Sequence, residues 1–190
     1  AGYEKACEAE SLGCTWIKAL VARCLLYGVG VQRNEIAGYE KACEAESLGC
    51  AWGKALVARC LLKGIDVSKD EVSGYQKACE AESLGIILGK ELVAESLFYG
   101  VGVQPNKVAS YQKASEAESL GSTLGKELVA AALLYGLGVQ RNEVAGYQKA
   151  CEAESLGSTR GKELVARCLL YGTGVQRNNV AGYEKACEAE

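Results

Sequence analysis

The sequence predicts an all-α solenoid, a right-handed superhelix of helix–turn–helix repeats that are each 36 residues long. The decapeptide Ala1–Glu10 recurs unchanged as Ala181–Glu190. Near copies of it begin, at constant spacing, at Ala37, Ser73, Ala109 and Ala145. A unit of this size cannot bury its apolar face alone and must pack against its neighbours, which is the defining property of a solenoid.

The repeat divides the chain into five complete units and one partial unit. These are 1–36, 37–72, 73–108, 109–144, 145–180 and the partial unit 181–190. We expect them to form a single repeat domain with about eleven helices, counting partial ones. The chain contains no methionine and begins and ends at the same phase of the repeat, so we expect it to be an excerpt of a longer array.

The segment from Gln32 to Gly64 illustrates the two helices that each repeat should contain. Asn34 should cap a first helix over about 35–48, because its side chain can accept hydrogen bonds from free amides of the first turn. Gly49 suits the left-handed position after that helix. A second helix over about 51–63 should end at Gly64. Its apolar stripe comprises Leu56, Val57, Cys60 and Leu61.

The glycines of the repeat have two expected roles. Gly38 and its equivalents lie inside the first helix, where glycine costs about 1 kcal/mol relative to alanine, so a close backbone contact is expected there. The loop glycines Gly28 and Gly30 permit turns with positive φ, and Val31 should fill the gap between helices.

These features resemble the Sel-one-like repeat, a relative of the tetratricopeptide repeat. Gly49 and Gly64 bracket the expected fourteen residues, and 135–142 (Tyr-Gly-Leu-Gly-Val-Gln-Arg-Asn) matches the loop of that family. The chain departs from the family at Val57-Ala58, where the family has Leu-Gly, and at Ala37-Gly38, where it has Lys-Ala. The resemblance implies a non-enzymatic adaptor that holds protein partners on a curved superhelical surface.

Composition bounds the classes of partner. The net charge is −3 and basic residues form no stripe, so nucleic acid is an unlikely partner and an RNA-binding helical repeat is a distant alternative. No apolar run approaches the roughly 20 residues of a membrane helix, and no signal peptide is evident. We therefore expect no membrane insertion.

Ten cysteines allow two interpretations. Cys7 and Cys14, like Cys43 and Cys50, are seven residues apart, and the resemblance implies cross-links between paired helices at a similar, not identical, spacing. Such disulfides would place the protein in a secreted or periplasmic compartment. Other repeats replace these cysteines by serine or isoleucine, which favours reduced packing residues and, slightly, the cytoplasm. No metal site is expected, because histidine and Cys-x-x-Cys pairs are absent.

No candidate catalytic or cofactor site emerges. The chain lacks histidine, the commonest general base. The block Glu44-Ala45-Glu46-Ser47 recurs in every complete unit, which is typical of a solvated helix face and not of a single active site. The Gly-x-Gly loops lack the lysine and the preceding strand of a phosphate-binding loop, so they are interpreted as turns.

Specificity is expected where the repeats differ, at the start of the second helix and near its end. One varying column comprises Trp16, Trp52, Leu88, Leu124 and Arg160. It is either an exposed strip for a protein partner or a surface that packs on the preceding repeat. The favoured function is a protein-interaction scaffold. The alternative is a filament or tube subunit that stacks end to end, because the two ends carry the same apolar columns.

Overall fold

A computed structural model describes residues 2–10 and 14–188 of the chain, with the side chain of residue 10 excepted. Over these residues it contains eleven α-helices and no strands. The first helices of the repeats are α1 (Gly2–Glu10), α3 (Glu35–Ser47), α5 (Glu71–Ser83), α7 (Lys107–Ser119), α9 (Glu143–Ser155) and α11 (Asn179–Cys187). The second helices are α2 (Thr15–Tyr27), α4 (Ala51–Lys63), α6 (Ile87–Tyr99), α8 (Thr123–Tyr135) and α10 (Thr159–Tyr171).

The predicted all-α architecture of two helices per repeat is confirmed. The helix predicted over 51–63 has the predicted bounds in α4. The helix predicted over 35–48 ends at Ser47 in α3, one residue before its predicted end. Within each part of the chain, consecutive helices pack against each other, as in an α-solenoid. The right-handed superhelix stays a prediction.

The helices group into two compact units, named here unit 1 and unit 2, each of which contains more than one 36-residue repeat. Unit 1 comprises the described residues up to Val93 together with 101–104, and unit 2 comprises 94–100 and 105–188, so the boundary falls inside α6. The core of unit 1 contains Leu26, Leu56 and Val57 with the small residues of α2 to α4 around them. That of unit 2 is built around Leu128, Leu134 and Leu164. The prediction of one repeat domain stays a prediction.

The predicted cap at Asn34 is confirmed, and the equivalent residue caps every first helix from α3 onward. The Asn34 side chain accepts a hydrogen bond from the Ala37 amide at 3.1 Å, and the Asp70 carboxylate accepts one from Ser73 at 3.0 Å. The same bond recurs at Asn106, Asn142 and Asn178. Each cap satisfies an amide that the helix leaves free, which typically contributes about 1 kcal/mol. These repeated caps fix where each first helix begins.

The glycine inside the first helix marks a close helix contact, as predicted. A Cβ atom on Gly146 would lie 2.7 Å from Leu134 Cγ and 2.8 Å from its backbone nitrogen. Gly38 stands in the same relation to Leu26. In α7 the position is Ser110, whose buried hydroxyl donates to the Ala94 carbonyl at 2.8 Å. Absence of a side chain therefore lets α9 approach α8.

Loop glycines adopt the predicted positive φ, 69° at Gly28 and 71° at Gly30. Val31 is partly buried against the helices that flank it. The second glycine of the loop also packs on the start of the first helix of its own repeat, because a Cβ on Gly138 would overlap the carbonyl oxygen of Lys107 in α7. This contact supports the interpretation of the Gly-x-Gly loops as turns. Asp66 replaces that glycine in one repeat and keeps a positive φ of 53°.

Lysine–glutamate pairs connect neighbouring repeats within each unit. The Lys18 ammonium lies 2.9 Å from Glu44, and Lys126 lies 2.8 Å from Glu152. Lys54 pairs with Glu80 in the same way. In a second series the lysine of a first helix pairs with the preceding first helix, as in Lys77–Glu46, Lys149–Glu118 and Lys185–Glu154.

The interpretation of the block at 44–47 as a solvated helix face is therefore wrong in part. Ala45 is fully buried, and Glu44 and Glu46 are held by ion pairs. Hydrogen bonds from Lys18 and Lys41 lower the pKa of Glu44 below its ordinary value. The carboxylates of Glu44 and Glu46 therefore pair with lysines of neighbouring repeats.

Within the described residues, no helix is both long and apolar enough to cross a bilayer.

Candidate functional site

The members of the predicted column at the start of the second helices differ in exposure. Trp16 on α2 is 54% exposed. The others are half-buried: Trp52 and Leu88 pack against the core of unit 1, and Leu124 packs against that of unit 2. Arg160 on α10 is also half-buried. Packing is thus observed for Trp52, Leu88 and Leu124, and the role of the column in binding a partner stays a prediction.

Unit 1 contains a cleft on the face formed by its second helices, named here the Trp52 cleft. Its volume is about 330 Å³, within the range of about 300–1,000 Å³ usual for ligand pockets. The cleft is lined by Arg23, Tyr27, Trp52, Leu56, Arg59, Ile87, Leu88 and Glu91. It brings two members of the predicted column together with side chains from the later turns of α2 and α4.

Two arginines of the Trp52 cleft stack on aromatic rings of neighbouring repeats. The Arg23 guanidinium carbon lies 5.4 Å from the centroid of the Trp52 ring. The Arg59 guanidinium lies 5.7 Å from the centroid of the Tyr27 ring, and its Nη1 donates a hydrogen bond to the Tyr27 hydroxyl at 2.8 Å. Such cation–π contacts hold a flexible side chain in one orientation, so both guanidiniums are positioned before any partner binds.

Unit 2 contains a comparable cleft, named here the Tyr99 cleft, with a volume of about 470 Å³. It is lined by Phe98, Tyr99, Ala131, Tyr135, Leu137, Thr159, Arg160, Glu163, Leu164 and Arg167. Arg160 stacks on the Tyr99 ring at 5.5 Å and donates to its hydroxyl. Arg167 lies 3.6 Å from Glu163 on the same helix, in an exposed pair. The combination of arginine, tyrosine and apolar walls thus occurs in both units.

Sequence reasoning missed Arg23, Arg59 and Tyr27 as candidate site residues. A signal was present, because the varying patch near the end of the second helix includes the positions of both arginines. The patch did not indicate which side chains these arginines contact. Arg59 contacts Tyr27 of the preceding repeat, and this contact depends on how successive repeats pack.

A second correction concerns columns that hardly vary between repeats. Because specificity was expected only where the repeats differ, uniform columns were expected to serve packing and turns, yet two of them are exposed. One lies in the first turn of the first helix, and its members are 56–70% exposed: Ile36, Val72, Val108, Val144 and Val180. The other follows the first helix and comprises Leu48, Leu84, Leu120 and Leu156. Uniformity between repeats therefore does not imply burial.

The cysteines are all free thiols in the structure. Cys43 is half-buried on α3 and shares a hydrogen bond with the Tyr39 hydroxyl, while Cys50 precedes α4. Burial raises the pKa of Cys60 to about 11, which keeps its thiol protonated at neutral pH. Cys7 is half-buried and Cys14 exposed. The disulfides Cys7–Cys14 and Cys43–Cys50 stay an untested minority prediction.

Groups suited to metal ligation do not converge in the described part of the chain. No three cysteine, aspartate or glutamate side chains cluster there as metal ligands would. The pKa values of Glu80 and Glu152 are lowered by their lysine partners, so these carboxylates stay ionised at neutral pH. The arrangement of both clefts suits binding of an anionic and partly apolar ligand.

Solved structures show which known fold this chain shares. One is a protective antigen present in uropathogenic Escherichia coli strains, which displays an SLR fold; the TM-score is 0.69 at 19% identity. That match covers 96% of this chain and 40% of the other, so the chain spans well under half of that relative. The other is a Sel1 repeat protein from Oxalobacter formigenes, with a TM-score of 0.73 at 19% identity over 93% of this chain and 70% of that one.

The chain therefore has the fold of a Sel1-like repeat solenoid, and the resemblance inferred from Gly49, Gly64 and the loop at 135–142 is confirmed at the level of fold. No family model matches the sequence, and no curated protein shows significant similarity to it.

Proposed function

We propose that this helical repeat protein is a non-enzymatic scaffold that binds a protein partner in the clefts on its second-helix faces. The supporting observation is that side chains of the varying column lie in the Trp52 and Tyr99 clefts beside aromatic and charged groups. Aromatic and arginine side chains are the residues most often found as binding hot spots. Positions that vary between otherwise similar repeats are also those free to determine specificity.

The exposed Trp16 and the cleft residue Trp52 provide the test. We expect the double variant Trp16→Ala, Trp52→Ala to lose most partner capture from an extract of the native source, because hot-spot truncation typically costs about 2 kcal/mol or more. Capture is compared by quantitative mass spectrometry at matched amounts of folded protein, as measured by circular dichroism. The matched control is Leu120→Ala, Leu156→Ala, which removes two exposed apolar side chains away from the clefts.

Equal capture by the tryptophan variant and the wild type would contradict the proposal. If the tryptophan variant unfolds while its remaining folded fraction captures normally, the column serves core packing and the proposal is also wrong.

A second candidate, association between copies of this chain, is favoured by the exposed column of Ile36 and its equivalents. Three of its members, Val108, Val144 and Val180, lie in unit 2. Repeated exposure of β-branched side chains within one unit is uncommon on a monomer and favours burial against another surface. Copies joined through this column would pack side by side, in contrast to the end-to-end stacking expected from the sequence.

We expect sedimentation velocity to show concentration-dependent association of the wild type. The variant Val108→Lys, Val144→Lys, Val180→Lys should stay monomeric, because burying three ammonium groups in an interface carries a large desolvation cost. The control is the same substitution at Leu84, Leu120 and Leu156, exposed residues that follow the first helices and line neither cleft. A wild type that stays monomeric at every concentration would exclude this candidate.

A further inference from the structure

Six of the seven arginines of this chain fall into two groups with different surroundings, and the seventh, Arg167, pairs with Glu163 on its own helix. Those in the loops before the first helices pair with a neighbour two residues away: Arg33 with Glu35, Arg141 with Glu143 and Arg177 with Asn179. On the second helices, Arg23, Arg59 and Arg160 stack on aromatic rings instead. The loop arginines are thus satisfied locally, whereas those on the second helices lie in the clefts.

In the Trp52 cleft most guanidinium donors remain available. A guanidinium has five N–H donors, and Arg23 engages Trp52 by stacking. Arg59 uses Nη1 for the Tyr27 hydroxyl. Within the residues that the structure describes, neither arginine has a carboxylate partner. Stacking engages the flat face of a guanidinium and leaves its edge, which carries the donors, free for a planar anion.

The apolar walls of the Trp52 cleft strengthen the preference of its arginines for an anion. Trp52, Leu56 and Leu88 surround the arginines with apolar surface, where a charge-assisted hydrogen bond is stronger than in open water. Two arginines face one glutamate, Glu91, so the cleft is locally positive in a chain whose net charge is −3. The Tyr99 cleft repeats this balance with Arg160, Arg167 and Glu163.

We propose that each cleft binds an acidic segment of a protein partner, whose side-chain carboxylate docks on the arginines and whose neighbouring apolar residue packs on the aromatic wall. This inference rests on the proposed function and names the chemistry of the partner. Bidentate binding of a carboxylate by a pre-positioned guanidinium supplies both orientation and affinity.

The charge pattern favours an acidic peptide over a single-stranded nucleic acid. A nucleic-acid groove needs a continuous row of cations along the phosphate backbone. Here the lysines that could extend such a row are committed to glutamates, as Lys18 is to Glu44 and Lys126 is to Glu152. The Trp52 cleft instead offers two arginines without a carboxylate partner, and the Tyr99 cleft offers Arg160 beside Arg167, whose pair with Glu163 is exposed. This number of cations suits one or two carboxylates.

The test is fluorescence anisotropy with a fluorescein-labelled copolymer of glutamate and tyrosine, with labelled polyuridylate as a second probe. The cleft variant combines Arg23→Gln, Arg59→Gln, Arg160→Gln and Arg167→Gln. The control combines Arg33→Gln, Lys69→Gln, Arg141→Gln and Arg177→Gln, which removes the same number of positive charges from loop positions. Circular dichroism checks that both variants are folded.

We expect the wild type and the control to bind the copolymer alike, and the cleft variant to bind at least about tenfold more weakly, since hydrogen bonds to charged groups are worth about 1.5–3 kcal/mol. An equal loss in the control would show that binding follows overall charge and would overturn the proposal. Binding of polyuridylate in place of the copolymer, or of neither probe, would overturn it as well.

The outcome is separable from that of the proposed function. Normal partner capture by the arginine variant, together with loss of capture by the tryptophan variant, would keep the scaffold function and reject the acidic partner.

Discussion

Gly146→Val is expected to destabilise the protein by about 3 kcal/mol, at the upper end of the range typical of overpacked cores. The new Cβ would lie 2.8 Å from the backbone nitrogen of Leu134 and 2.7 Å from its Cγ. A side chain can change rotamer, but a backbone nitrogen within a helix cannot yield, so α9 must move away from α8. The measurement is the free energy of unfolding from urea denaturation.

Gly121, a glycine with positive φ and no close helix contact, provides the control. Gly121 has a φ of 88°, and a Cβ added there would have no atom within 4 Å, so Gly121→Ala should cost only the left-handed strain, about 1–2 kcal/mol. A loss below about 1 kcal/mol for Gly146→Val would contradict the close-contact explanation, because overpacking costs at least that much. The double variant Gly146→Ser, Leu134→Phe is expected to be more stable than Gly146→Val, because α7 and α6 carry that combination at Ser110 and Phe98.

Leu128→Ala is expected to cost about 3 kcal/mol, and the range for such truncations is about 2–5 kcal/mol. Leu128 is 1% exposed and belongs to the core of unit 2. Removal of its side chain leaves a cavity that the surrounding helices can close only partly. The matched control is Leu156→Ala, whose side chain is 58% exposed and whose loss should change stability by less than about 0.5 kcal/mol.

The same variant reports on cooperativity. Both tryptophans, Trp16 and Trp52, lie in unit 1, so tryptophan fluorescence follows unit 1 while circular dichroism follows all helices. If the units unfold independently, Leu128→Ala should shift the dichroism transition and leave the fluorescence transition unchanged. Coincident shifts would show that the repeats unfold as one cooperative system. Equal stability losses in Leu128→Ala and Leu156→Ala would contradict the core assignment.

The parts of the fold that the sequence predicts are those that depend on local chemistry. Asn34 and its equivalents were identifiable as caps because a short amide side chain reaches the first-turn backbone without any help from the tertiary structure. Gly28 and Gly64 were identifiable because positive φ favours glycine. Gly38 required one further step, since a glycine that weakens its own helix needs a compensating contact.

The candidate site was less predictable because its contacts join different repeats. The contact between Arg59 and Tyr27 spans 32 residues, and it depends on the rotation and offset between successive repeats, which the spacing of apolar residues does not encode. The burial of individual side chains was also poorly predictable from the sequence. Val144 and Leu128 are both aliphatic positions of a regular repeat, yet one is 57% exposed and the other 1%.

The lysine–glutamate pairs between repeats bear on how such a chain can change in length during evolution. Lys18–Glu44, Lys54–Glu80 and Lys126–Glu152 join equivalent atoms of successive repeats. The repeat 37–72 carries both the acceptor Glu44 and the donor Lys54 of these contacts, and every complete repeat has a glutamate and a lysine at the same two positions of its sequence. Unequal recombination that gains or loses a whole 36-residue copy would therefore create no unmatched charge at the junction. An array of this kind can grow by gene duplication first and diversify its clefts afterwards.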